Sequence, residues 1–137
     1  MNVEKVAFLY PYHLLPGSTE RVPLLVLDAE TLPFKADVHF EVYFLGLVHL
    51  QEYWVSLKLE KVDSPQNIEL SKNIGAWIRA KAETESEKTL AASAALHFKN
   101  CLFEDEGDYL ITATIHKDSA PLHSAIAYFS VSLIHEQ

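Results

Sequence analysis

The chain has 137 residues, a formal net charge of −8, a pI of about 5.3 and 49% hydrophobic residues. That length suits one domain, here residues 1–137, and buries roughly 68–70% of its unfolded surface, enough for an independent core and against wholesale disorder. The acidic balance argues against a nucleic-acid backbone or an anionic membrane as the main partner, since both demand basic patches; it suits a basic protein partner, or simply solubility.

Strands dominate the chain. Val6–Tyr12 is apolar and aromatic, and Arg21–Asp28 carries the continuous run Leu24-Leu25-Val26-Leu27 expected of a strand covered on both sides. Glu30–Pro33 is expected as a loop. Val38, Phe40, Val42 and Phe44 alternate with His39, Glu41 and Tyr43, the period of a half-buried strand. Tyr53, Val55, Leu57 and Leu59 alternate in the same way with Glu52, Trp54, Ser56, Lys58 and Glu60. A hairpin turning at Gly46-Leu47-Val48-His49 pairs Val42 with Tyr53 and Phe40 with Val55, and puts both apolar faces on one side. The same register pairs Tyr43 with Glu52 and Glu41 with Trp54.

Asp63-Ser64-Pro65-Gln66-Asn67 is a loop signal, with a short strand to follow at Asn67–Leu70. Alanine and glutamate in Ala82–Leu96 favour a helix, but Leu90, Ala92, Ala94, Leu96 and Phe98 alternate, so a strand from about Thr89 to Phe103 is preferred. One short helix between residues 74 and 95 stays open. Tyr109, Ile111, Ala113 and Ile115 face Ala125, Ala127, Phe129, Val131 and Leu133 in a final hairpin, pairing Ile115 with Ala125 and Ile111 with Phe129. All six prolines are expected in or beside connections.

Asp105-Glu106-Gly107-Asp108-Tyr109-Leu110-Ile111 resembles the Asp-x-Gly-x-Tyr-x-Cys pattern of immunoglobulin domains. The resemblance implies a tyrosine corner made by Asp105, Gly107 and Tyr109, in which the tyrosine hydroxyl bonds back to the upstream corner. Ile111 stands where the second cysteine would be, and Trp54 is out of phase with its strand's apolar face, so both departures leave the family's disulfide and core tryptophan unmatched. The last third also resembles small bacterial or phage sandwich proteins with a Phe-x-x-x-Gly-x-Tyr strand and a final hairpin. The expected fold is an all-β, two-sheet antiparallel immunoglobulin-like β-sandwich of about seven or eight strands.

Cys101 is the only cysteine, so no intramolecular disulfide forms and a reducing compartment is expected. The start of the chain, Met1-Asn2-Val3-Glu4-Lys5, lacks the features of a signal peptide, and no apolar run reaches the length of a membrane span, so a cytoplasmic location is expected. The seven histidines match no zinc spacing, and His116 and His123, flanking the final turn, are expected on opposite faces. Glu104, Asp105, Glu106 and Asp108 have the chemistry of a calcium site or, more simply, of a solvated turn. Glu83, Glu85 and Glu87 suit a solvated face that docks a basic partner. No nucleophile elbow and no phosphate-cradling glycine loop occurs, so no catalytic residue, metal or cofactor is expected.

The best surface candidate is the polar face of the expected hairpin, carrying His39, Glu41, Tyr43, Glu52 and Trp54. An exposed tryptophan and tyrosine ringed by polar groups has the makeup of a protein-interface hot spot. The alternative is that Ile74–Lys81, with Trp77, covers that face. The expected function is a non-enzymatic protein–protein interaction module, with a phage or mobile-element inhibitor or immunity protein as one form that size and acidity allow. The other readings are a sandwich or barrel holding a small apolar ligand among Phe40, Phe44, Tyr53, Phe98 and Phe129, and a homo-oligomer paired through an edge strand.

Overall fold

The computed structural model describes residues 4–62, 72–84 and 89–134. The loop and short strand expected over 63–70, and Glu85 and Glu87, lie outside the described residues. Nine strands follow one another: β1 (Lys5–Leu14), β2 (Arg21–Pro23), β3 (Val26–Ala29), β4 (Phe34–Leu47), β5 (Glu52–Lys61), β6 (Lys72–Arg79), β7 (Leu90–Phe103), β8 (Gly107–Lys117) and β9 (Ala120–Leu133). They form a four-stranded sheet in the order β2-β1-β4-β7 and a five-stranded sheet in the order β3-β9-β8-β5-β6. Among the described residues there is no helix, which removes the short helix left open between 74 and 95 there, and no helix long and apolar enough to cross a membrane.

The inner faces of the two sheets share one core. Val38, Phe40, Val42 and Phe44 of β4 meet Tyr53, Val55, Leu57 and Leu59 of β5 and Ile111, Ala113 and Ile115 of β8, all at most 1% exposed. Alternation drives this placement, because every second side chain of a strand points to the same face. At one end of the core, Phe103 meets the edges of Tyr109 and Phe129 at 5.1 and 6.1 Å between ring centroids.

The expected hairpin between β4 and β5 does not form. β4 is flanked by β1 and β7 in the first sheet, and β5 by β6 and β8 in the second. The connection instead passes from one sheet to the other. Leu47 is fully buried, the Val48 N–H donates to the Tyr53 hydroxyl at 2.9 Å, and the Leu50 N–H donates to the Ala80 carbonyl at 2.8 Å. This explains the apolar composition of the turn: Leu47 plugs the space between the sheets. Two strands side by side and two strands facing each other across a core have the same alternation, so the pattern could not separate them.

Arg21–Asp28 is likewise divided. β2 joins the first sheet and β3 the second, with Leu24 turned into the core at 4% exposed and Leu25 turned out at 73%. The Leu24 N–H donates to the Pro11 carbonyl, and Leu25 supplies its carbonyl to Ser130 N–H. β3 runs parallel to β9, so the second sheet is mixed, not wholly antiparallel. Pro11 sits inside β1, not in a connection. A strand residue's N–H and C=O point to the same side. Its missing donor therefore faces the end of β2, where the β1–β2 ladder stops at Tyr12–Pro23.

The final hairpin forms, offset by two residues from the expected register: Ile111 faces Ala127 and Ile115 faces His123. The offset comes from a tight connection, Asp118-Ser119, in which both residues have positive φ (51° and 68°), the geometry of a two-residue turn matched to strand twist. Facing pairs still share a side, because a two-residue shift preserves parity.

The Asp105–Tyr109 segment closes on itself. The Tyr109 hydroxyl donates to the Asp105 carbonyl at 2.6 Å, and Gly107 takes φ 137°, which favours glycine. Tyr109 is 1% exposed, so the bond lies where an unmet polar group is costly. Tyr109→Phe is expected to cost about 1–2 kcal/mol. Urea unfolding checks this as a lower midpoint with an unchanged slope; an unmoved midpoint removes the bond from the account of stability.

Candidate functional site

The structure separates the five residues of the expected interface. His39, Glu41 and Tyr43 project from the outer face of the four-stranded sheet, while Glu52 and Trp54 project from the outer face of the five-stranded sheet. Both sets are outward for the same reason: each alternates with core residues on its own strand. They cannot contact one partner surface together.

On the four-stranded sheet the rings pack on one another. Tyr43 stacks on Phe8 at 4.4 Å and lies 6.3 Å from Tyr10, nearly parallel to both. Tyr12 is covered by the Arg21 guanidinium at 4.7 Å, and Arg21 is ion-paired with Glu41. His39 lies 6.0 Å from Tyr12 and 5.3 Å from His97. Burial by these neighbours, followed by the Glu41 carboxylate, raises the Tyr43 phenol above its ordinary value. The ring faces are spent on each other and the charges on each other. This face is largely self-satisfied.

The five-stranded sheet carries a different arrangement. In register across β6, β5 and β8 lie Trp77, Trp54 and His116. The two indoles meet edge to face at 5.1 Å with an interplanar angle of 62°. Trp54 reaches diagonally over Gly75, where a Cβ would stand only 1.9 Å from its Cζ2. Glycine is thus the residue that lets this indole lie down on β6. Trp77 stays 69% exposed. A groove of about 600 Å³ opens here, walled by Gln51, Glu52, Trp54 and Trp77 and by His116, Asp118 and Ser119 of β8 and its turn. Two carboxylates and two indoles line it; among the described residues no lysine or arginine does, and Arg79 stands opposite Glu52 at the rim. That combination favours a cation: the indole faces attract it through their quadrupoles and the carboxylates through charge.

Ser56 Oγ and His116 Nε2 are 2.9 Å apart at the edge of this groove. The spacing is that of a nucleophile and its base. Acyl transfer also needs a group to orient the other ring nitrogen and N–H donors for the oxyanion. Among the described residues no carboxylate is bonded to His116, and Ser56 lies inside a strand flanked by β6 and β8, not on a turn that presents free N–H groups. The contact fixes the imidazole as part of the groove wall.

The other candidates resolve into structural roles. Among the described residues no group of histidine, cysteine or acid side chains is placed to hold a metal ion. Glu106 accepts the Leu133 N–H at 2.6 Å and Asp108 accepts the Ser130 hydroxyl at 2.6 Å, so these acids tie down β9. His123 accepts the Val6 N–H at 3.2 Å, linking β9 to β1, while His116 turns to Ser56. Cys101 is buried.

Sequence reasoning placed Trp54 outward but missed its neighbours. Residues 72–79 do not cover the Trp54 face; they extend the sheet beside it. Ile74, Ala76, Ile78 and Ala80 alternate with Asn73, Gly75, Trp77 and Arg79, and that period was the available signal. No protein-family model matches the chain, and no curated protein matches it.

Proposed function

We propose that this chain is a non-enzymatic protein-binding module of immunoglobulin-like sandwich architecture, whose Trp54–Trp77 groove receives a basic segment of a partner protein. One observation carries the binding reading: two exposed, edge-to-face tryptophans in a groove whose lining, among the described residues, includes the carboxylates of Glu52 and Asp118, with Arg79 opposite Glu52 at its rim. Tryptophan is the residue type most able to concentrate binding energy, and a lysine or arginine between indoles and carboxylates satisfies both. The chain's net charge of −8 steers such a partner inward.

The architectural part rests on strand order. The pairing of β4 with β7 in one sheet, and the order β9-β8-β5-β6 in the other, parallels the B-E and G-F-C-C′ arrangement of variable-type immunoglobulin domains. The Tyr109–Asp105 bond on the β8 strand has the form of a tyrosine corner. A cytoplasmic, reducing setting suits a core whose lone cysteine is buried and unbridged. An interior site for an apolar ligand is less favoured, because Phe40 stacks on Phe98 at 5.0 Å and Phe44, Tyr53 and Phe129 are at most 2% exposed.

Affinity capture from the source cells tests the reading, with native protein, Trp54→Ala and Trp77→Ala as parallel baits. A basic partner held by the native bait and lost by Trp54→Ala is expected, with affinity reduced at least about 30-fold. Its retention should weaken as salt rises. The same partners on all three baits would take the groove out of the account.

A further inference from the structure

We propose that two copies of this chain pair through β7, antiparallel about a two-fold axis near Ala94, joining their four-stranded sheets into one eight-stranded sheet. This stands independently of the groove. The two sheets have four edges: β2 and β7 in one, β3 and β6 in the other. β2 has three residues, begins at Arg21 and ends at Pro23; β3 has four; β6 has eight and ends at Arg79. Shortness, proline and charge are the devices that keep a sheet edge from pairing with another chain.

β7 has none of these over most of its length. It is a 14-residue edge strand, and Leu90-Ala91-Ala92-Ser93-Ala94-Ala95-Leu96-His97-Phe98 contains no lysine, arginine or acid. Its inner edge is paired with β4 from Ala92 to Phe98 without a register shift. Its outer edge lies at the end of the sheet order. The unshifted stretch stops at Lys99-Asn100, where Asn100 takes φ 54° and its N–H donates to Asp37.

The core also ends unfinished here. Phe40, Val42 and Phe44 on β4 are at most 1% exposed, whereas their partners Leu96, Ala94 and Ala92 on β7 are only half-buried. A strand laid against this edge supplies both the backbone partners and the missing apolar cover. A second copy fits because β7 is the one long, uncharged edge among the described strands, and an open edge is completed by another open edge.

Antiparallel pairing about Ala94 preserves face parity. Ala92 then faces Leu96 of the second copy and Leu90 faces its Phe98 on the core side; Ser93 faces its Ala95 on the outer side. No like charges oppose each other, which matters for two chains that each carry −8. The Trp54 groove lies on the other sheet, with Trp77 near the β7 edge, so the pair carries two grooves and gains avidity for a partner with two basic segments.

Sedimentation velocity over a concentration series tests the pairing. The native chain should reach twice its 15.5 kDa as concentration rises. Ser93 and Ala95 are exposed on the outer face, so Ser93→Glu/Ala95→Glu leaves the core intact and sets carboxylates against carboxylates across the axis. This variant should stay at 15.5 kDa with an unchanged far-ultraviolet spectrum. Ser93→Lys/Ala95→Lys should also be monomeric alone, and an equimolar mixture of the two variants should recover the paired species. A native chain monomeric at every soluble concentration overturns the proposal. So does a glutamate variant that still pairs, or a folded mixture that does not.

Discussion

Stability should fall steeply between pH 10 and about 12, where the Tyr53 and Tyr109 phenols are held protonated by the fold. Burial is the main cause for both rings. The Glu4 carboxylate adds to it at Tyr53, and the Asp105 charge adds to it at Tyr109. Each folded-state value is pushed up to about 12 from an ordinary 10.0. Below pH 10 both states carry the proton and nothing is lost. Above it the unfolded chain ionises while the folded chain holds its protons, so fewer protons are bound in the unfolded state and stability declines with pH until the folded rings titrate too. The loss is on the order of 2 kcal/mol for each ring, which is large against a total of roughly 5–15 kcal/mol for a domain. Urea unfolding at pH 9 and pH 11.5 measures it. Lysines also titrate over this range, so the comparison that assigns the effect is internal: Tyr109→Phe starts lower but loses less on going alkaline, and Tyr53→Phe likewise. Equal losses in native and variant proteins would move the cause elsewhere.

These two tyrosines also show how far the residues themselves could be read. Tyr109 was visible as a corner because its chemistry is local: glycine, tyrosine and the accepting carbonyl lie within five residues of one another. Tyr53 was visible as a core residue, but its hydrogen bond to Val48 was not, because the hairpin reading made Gly46-Leu47-Val48-His49 a turn between two paired strands, with Tyr53 facing Val42. Strand existence was legible at β4, β5, β7, β8 and β9 wherever apolar residues recur with period two. Strand partners were not. Phe40 and Val55 point to the same core whether their strands are neighbours or face each other, and only the apolar Leu47 in the turn hinted at the crossing. The same limit governed the site. Trp54 was read as outward from one strand's alternation, but what stands beside it depends on β6 and β8, which no local pattern around Trp54 encodes. His39, Glu41 and Tyr43 were joined to Trp54 by an inferred pairing and left it when that pairing failed.

Gly75→Ala should disable the groove while sparing the fold. Gly75 lies opposite Ser56 in the β5–β6 ladder and is not among the glycines with positive φ, so alanine meets no backbone strain. Strand propensity, taken alone, gains from losing a glycine. The obstacle is the Trp54 indole, whose Cζ2, Cη2 and Cε2 lie 1.9, 2.5 and 2.8 Å from where the new Cβ stands. No small adjustment clears those distances, and the indole must leave β6. Its edge-to-face contact with Trp77 breaks, and with it the pair that floors the groove. The variant should therefore unfold cooperatively near the native midpoint, show Trp54 emission shifted toward that of a solvated indole, and lose partner affinity by about as much as Trp54→Ala, at least roughly 30-fold. A stability loss with retained affinity would mean that the indole packs for the fold and not for a ligand. Lost affinity at native stability would mean the reverse, that β6 keeps a glycine at position 75 to lay down a tryptophan as a binding surface.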